Sequence, residues 1–282
     1  MKHKLTHVNE IFDTFETEEI EPEETATGFS GLYMANCHLR PGSMYVIAAR
    51  PGMGKTAFAL TIARNFTKLS NKSVAYFTLA ESNEQLVKRL LSIASNVDAR
   101  KFHIGHLSVD EEEKAKAAQA FLRRQSLYFN DTARTINDIK KTLQGFSNLG
   151  LVIIDYIQLL SSEFKKVSRI REFHYIISTI EQMATQLNVP IIVQSQIPPF
   201  ERKKRRDRRP SLNDLRKEPW DFLEPVASVL LFLFRDAYYD GDCDPTTAEC
   251  IIAKNRFGET GTIPLQWNDE CGWFTDMENG EL

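Results

Sequence analysis

Between residues 44 and 266 the chain alternates short apolar runs with stretches whose apolar positions recur every three or four residues. Met44–Ala49 reads as a strand, Thr56–Phe66 as a helix, and Ser73–Leu79 as a second strand. Ser82 with Gln85 three residues on forms a capping box that opens the helix carrying Leu86, Leu90 and Ile93. Ser108 with Glu111 repeats that signal before a helix reaching about Arg124, and Thr135 with Asp138 is a looser version before Ile136–Phe146. Further strands are expected at Leu127–Phe129, Leu151–Asp155, Ile191–Gln194, Val229–Phe234, Cys250–Lys254 and Thr262–Gln266, with a long helix over Ile170–Leu187. A run such as Leu151-Val152-Ile153-Ile154 has no polar face, so it must be covered on both sides, as in a parallel sheet between helix layers. The last strands alternate and are joined by short connections, which predicts an antiparallel extension.

Composition adds boundaries. A chain of 282 residues with 42% apolar content can bury a sizeable core. Residues 1–26 are polar and acidic and read as a tail or a short docking helix around Val8–Phe15; the globular part begins at Thr27 and runs to 282. No run approaches the length of a membrane span, and the start lacks a signal-peptide layout, so a cytoplasmic protein without membrane contact is expected. Cys37, Cys243, Cys250 and Cys271 form no zinc-ligand spacing and read as reduced thiols. The net charge of −3 argues against a nucleic-acid binder, but it averages an acidic start against Arg202–Arg209, which holds seven basic side chains and one acidic.

The most restrictive motif is Ala49-Arg50-Pro51-Gly52-Met53-Gly54-Lys55-Thr56, with Ala57 behind it, between a strand and a helix. It fits the phosphate-binding loop pattern except that Ala49 stands where the first glycine often stands. Gly52 and Gly54 let backbone N–H groups curl around phosphate oxygens at the positive end of the helix. Lys55 would reach the β- and γ-phosphates, and the Thr56 hydroxyl would meet Mg²⁺. Asp155 closes a buried apolar strand, where a carboxylate needs a partner or a cation, and supplies the second magnesium-facing group. ATP and Mg²⁺ are therefore the expected cofactors.

Several segments together resemble the motor domain of DnaB-type replicative DNA helicases, from about Thr27 to the C-terminus. They are Ala48-Ala49-Arg50-Pro51, Ile154-Asp155-Tyr156-Ile157-Gln158-Leu159-Leu160, Leu187-Asn188-Val189-Pro190 running into Ser195-Gln196, Arg209-Pro210 before Asp214-Leu215-Arg216, Phe234-Arg235-Asp236, and Ile251-Ile252-Ala253-Lys254-Asn255-Arg256-Phe257-Gly258. The resemblance implies a RecA-like P-loop NTPase: an α/β fold with a mostly parallel sheet, helices on both faces and an antiparallel C-terminal extension. It implies a hexameric ring that moves on single-stranded DNA, with primase or a helicase loader as further partners. By the same resemblance Gln196 senses the γ-phosphate, and Lys254 with Arg256 reach a neighbouring subunit's ATP. The basic loop of Arg202, Lys203, Lys204, Arg205, Arg206, Arg208 and Arg209 occupies the place of the central-pore DNA loop, with Arg216 further along. Lys165 and Lys166 mark a second loop facing the pore.

Three departures stand beside these matches. Family members carry a catalytic glutamate after Ser-Leu, whereas Phe77-Thr78-Leu79-Ala80-Glu81 puts Ala80 there and Glu81 one place on. In a regular strand that shift points the side chain to the other face, so Glu81 serves as general base only if the strand end is twisted or bulged. After Asp214-Leu215-Arg216 the chain reads Lys217-Glu218-Pro219-Trp220, and Pro219 offers no N–H to DNA. Residues 1–26 are too short for the family's N-terminal collar domain, so a motor without it is expected. The alternative to an active helicase is an ATP-binding paralogue of weak activity that loads, regulates or scaffolds a helicase ring.

Overall fold

The computed structural model describes residues 26–164, 167–199, 207–216 and 219–277. Among these residues nine strands form one sheet: β1 (Met44–Ala49), β2 (Ser73–Thr78), β3 (Leu127–Asn130), β4 (Leu149–Asp155), β5 (Ile191–Gln196), β6 (Val229–Phe234), β7 (Thr247–Asn255), β8 (Gly261–Asn268) and β9 (Trp273–Asp276). Their order is β3-β2-β4-β5-β1-β6-β7-β8-β9. The pairs from β3 to β6 are parallel, and those from β6 to β9 antiparallel. The expected α/β architecture with its antiparallel extension is thus present.

Full burial of β1, β2 and β6 explains why their sequences carry no polar face. Alternate residues feed two cores. Tyr45, Ile47, Tyr76 and Ile153 pack under α2 (Lys55–Leu69) and α3 (Asn83–Ser95). Val46, Ala48, Phe77 and Ile154 pack under α6 (Ile136–Leu143) and α7 (Arg169–Leu187). The remaining helices are α1 (Ser30–Met34), α4 (Ala99–Ile104), α5 (Val109–Leu122) and α8 (Leu223–Val226). All three expected capping boxes form; at α6 the Thr135 hydroxyl accepts from the Asp138 N–H while the Asp138 carboxylate accepts from the Thr135 N–H.

The differences from the sequence expectation are local. α6 stops at Leu143 rather than Phe146, because Gly145 takes a positive φ of 79°. β5 runs two residues further than expected, which brings Gln196 into the sheet. α1, α4, α8 and β9 are additions to the expected elements. β9 matters most: Phe274 meets Phe58 of α2 edge-on at 5.4 Å, while Phe29, just before α1, stacks on Phe58 at 4.7 Å. These rings hold the first turns of α2 in place. No helix among the described residues is long and apolar enough to cross a membrane. Cys37, Cys243, Cys250 and Cys271 are all free thiols.

Candidate functional site: a phosphate loop facing a buried carboxylate

The loop from β1 to α2 is shaped by its two glycines. Gly52 has φ of +80° and Gly54 of +91°, both in the left-handed region. A Cβ on Gly52 would lie 2.6 Å from the Tyr238 ring, and one on Gly54 2.8 Å from Phe274. A side chain at Gly54 would run into buried aromatic packing, and one at Gly52 would have to displace the exposed Tyr238 ring. α2 starts at Lys55 with no side-chain cap and no acidic residue in its first turn, so its leading N–H groups are left for an anion. Lys55 donates from Nζ to the Ala49 carbonyl at 3.2 Å. Burial lowers the Lys55 pKa, and the Asp155 charge opposes that shift.

Asp155 ends β4, and it is 4% exposed. Burial raises its pKa, while hydrogen bonds from Tyr76 and Thr56 and the charge of Lys55 favour the ionised form. The Tyr76 hydroxyl donates to Asp155 Oδ2 at 2.8 Å and accepts from Gln194 Nε2 at 3.2 Å. Burial, reinforced by Asp155, pushes the Tyr76 phenol well above its ordinary value, so it stays a neutral donor. Lys55, Thr56 and Asp155 therefore converge at one end of the sheet. This donor set fits a magnesium-bound polyphosphate: amides and an ammonium for the anion, a hydroxyl and a carboxylate for a hard cation.

Arg50 departs from its expected role. Its side chain turns inward, donating from NH1 to the Arg208 carbonyl at 2.6 Å and pairing with Asp214 at 3.4 Å. The guanidinium joins the loop to the segment after β5, and only the Arg50 backbone belongs to the phosphate loop. Pro51 is exposed and Met53 is buried under the loop, with Ala57 in the core behind it.

Glu81 is reached by a turn rather than a strand. β2 ends at Thr78, whose hydroxyl donates to the Glu81 carbonyl at 2.7 Å and accepts from its N–H at 3.2 Å. Strand alternation thus no longer dictates where Glu81 points, and its charge is close enough to raise the pKa of Asp155. Its carboxylate is held by Arg89 through two bonds, Nε to Oε2 at 2.8 Å and NH2 to Oε1 at 3.0 Å. Ala80 is exposed.

Gln196, at the end of β5, has its backbone fixed from both sides. Gln158 accepts from its N–H at 3.1 Å and donates to its carbonyl at 3.1 Å, and the Trp220 indole donates to that carbonyl at 2.8 Å. Lys254 donates from Nζ to the Glu224 and Pro225 carbonyls at 2.6 and 3.2 Å. Burial, and then the charge of Arg256, lower its pKa; Arg256, just past the end of β7, is exposed.

Two cations of the basic loop are paired within the chain. Arg209 forms a two-bond pair with Glu249 at 2.7 and 2.6 Å, which raises its pKa, and Arg208 pairs with Asp240 at 3.4 Å. Their charges are balanced within the chain, anchoring the loop's C-terminal end. Arg216 is exposed beyond the Leu212–Leu215 turn. Arg202, Lys203, Lys204, Arg205, Arg206, Lys165, Lys166 and residues 1–25 lie outside the described residues.

Sequence reasoning missed Tyr76, Gln194, Arg89 and Tyr238. It also missed the role of Arg235, which lies 4.1 Å over the Trp267 ring and donates to the Gly52 carbonyl at 3.4 Å. Of these, Arg235 alone carried a signal, as part of Phe234-Arg235-Asp236.

Sheet order, phosphate loop and strand-end carboxylate define a P-loop nucleotide-binding domain. The chain matches the family described as DnaB-like helicase C terminal domain over residues 25–276, and it belongs to that family. It is 34% identical to the replicative DNA helicase DnaB of Geobacillus stearothermophilus over 258 residues, covering 89% of this chain and 56% of that protein. The replicative DNA helicase DnaC of Bacillus subtilis gives the same identity and coverage. The chain spans about half the length of the curated relatives it matches. Among solved structures, one described as an ATPase domain superposes with a TM-score of 0.87 at 29% identity, covering 98% of this chain and all of that one. A DnaB-like replicative helicase, studied with its interactions with primase, superposes at 0.84 and 28%, covering 98% of this chain and 68% of that one.

Proposed function

We propose that this chain is the ATP-hydrolysing motor of a DnaB-like DNA helicase, acting on single-stranded DNA as a hexameric ring in the cytoplasm. The observation that carries the reading is the convergence of Lys55, Thr56 and Asp155 at the uncapped start of α2. Magnesium, when bound with ATP, would neutralise charge on the phosphates. Lys55 supplies a desolvated ammonium, Thr56 and Asp155 orient the cation's shell, and the α2 amides bind phosphate oxygens. Glu81 takes the proton of the attacking water once it leaves Arg89, and Gln196 senses the γ-phosphate. Lys254 and Arg256 act on the ATP of the adjacent subunit, Lys254 after giving up its carbonyl partners on α8. The basic loop meets the DNA backbone without reading sequence, with Arg216 as a further contact. Primase or a helicase loader is the protein partner.

A second reading has a specific observation behind it: the pairing of Glu81 with Arg89 withholds the carboxylate offered in place of a glutamate at position 80. On that reading the chain binds ATP and scaffolds or regulates a ring without rapid turnover. Phosphate release by Glu81→Gln separates the two. A fall of about 100-fold or more, as for loss of a general base, supports the motor, and unchanged release supports the scaffold.

A further inference from the structure

Three adjacent strands bring together three buried polar side chains in the layer beneath α2. Tyr76 comes from β2, Asp155 from β4 and Gln194 from β5. Thr78 pairs with Asp155, so Tyr76 stands two residues earlier on the same face, and its ring carries the hydroxyl forward to Oδ2. On the other side, Ile154 pairs with Val193, which puts Gln194 next to Asp155 as the strands continue. Gln194 is fully buried; its Nε2 donates to the Tyr76 oxygen, while its Oε1 has no hydrogen-bond partner among the described residues.

This arrangement is a poor way to build a core. Two apolar side chains would fill the layer without desolvating a hydroxyl and an amide, or leaving a buried carbonyl oxygen unpaired. Stability does not account for it, but control of Asp155 does. The torsion at the end of an aspartate side chain is soft, so an unheld carboxylate samples many planes. A buried phenol bonded to Oδ2, itself held by an amide on the opposite strand, selects one.

We propose that Tyr76, steadied by Gln194, is a positioning residue for magnesium: it fixes the plane of the Asp155 carboxylate that faces the cation at the phosphate loop. The inference rests on the reading of Asp155 as the magnesium-facing group. Outer-shell partners of this kind tune metal affinity without touching the metal. Gln194 lies two residues before Gln196 on one strand, so the clamp also ties the carboxylate to the strand that carries the proposed γ-phosphate sensor.

The test is the affinity of the full chain for a fluorescent, non-hydrolysable ATP analogue, measured with excess Mg²⁺ and with EDTA. Manganese EPR of the nucleotide complex gives a second readout. Tyr76→Phe keeps the ring and removes the hydroxyl. It is expected to lower the magnesium-dependent gain in affinity about tenfold, leaving the EDTA value unchanged and altering the manganese spectrum. Gln194→Leu should move both readouts the same way by less, and it carries the test if Tyr76→Phe does not fold. An unchanged magnesium gain, a larger gain, or equal losses with and without Mg²⁺ would overturn the proposal. Asp155→Asn separates it from the reading beneath it. If that variant keeps the full magnesium gain, the reading and the inference fall together; if it loses the gain while Tyr76→Phe keeps it, only the inference falls.

Discussion

The phosphate loop at the end of the parallel strands and the surroundings of β7 in the antiparallel extension handle charge in opposite ways. At the phosphate loop, Lys55 and Asp155 are desolvated and given only part of what they need: a single carbonyl for the lysine, a phenol and a hydroxyl for the carboxylate. Around β7, Arg209 is closed into a two-bond pair with Glu249, and Lys254 rests on two carbonyls. Incomplete pairing of buried charge marks a place built to receive a ligand. Completed pairing marks a scaffold, or a contact that has to open before it acts. Counting charges does not separate the two, but finding their partners does.

The largest expected effect lies at the phosphate loop. Lys55→Ala should cut ATP hydrolysis about 100-fold or more, read as phosphate release, while the thermal midpoint stays close to that of the parent. Next comes a completed pair on the parallel side, Glu81 with Arg89. Arg89→Ala frees a carboxylate that is presently complete, so basal turnover should rise severalfold with nucleotide affinity unchanged; a fall in turnover would make Arg89 a support rather than a restraint.

Around β7 the effects are small. Arg209→Ala should leave the salt dependence of single-stranded DNA binding unaltered, because a guanidinium already paired releases few counterions. A double-mutant cycle with Glu249→Ala should give a coupling below about 1 kcal/mol, as for other exposed pairs. A clear drop in the salt slope would show that Arg209 opens onto DNA. Smallest, and outside that region, is the acid response of Glu111 on α5, which Lys101 and the Ser108 N–H hold down to about 2. A depressed carboxylate contributes stability above its unfolded value, and that contribution fades as pH falls toward the folded one. The midpoint difference between parent and Glu111→Gln should therefore shrink across that window.

Legibility in the sequence followed the same divide. The phosphate loop is contiguous, and Asp155 closes an apolar run, so both declare themselves in one dimension. Capping boxes do too, since their partners are three residues apart. Tyr76 and Gln194 sit inside strands that otherwise read as ordinary core, and only the packing of β2, β4 and β5 makes them partners of Asp155. The pairing of Arg209 with Glu249 spans 40 residues, so along the sequence the loop looks wholly free. β9 is four residues long beside acidic positions, too short for periodicity to register, although its Phe274 packs against the phosphate loop. The turn at Glu81 needed the structure as well, because strand alternation gives the wrong geometry once β2 has ended at Thr78. The net charge of −3, which argues against DNA, sums acidic segments with one concentrated basic run, so the average hides both.

If the convergence at α2 serves a DNA-stimulated ATPase, phosphate release by the assembled protein must respond to single-stranded DNA. Turnover is expected to rise on adding DNA and to be lost in Lys55→Ala. Low turnover indifferent to DNA, in protein whose mass is that of a ring, would contradict that role.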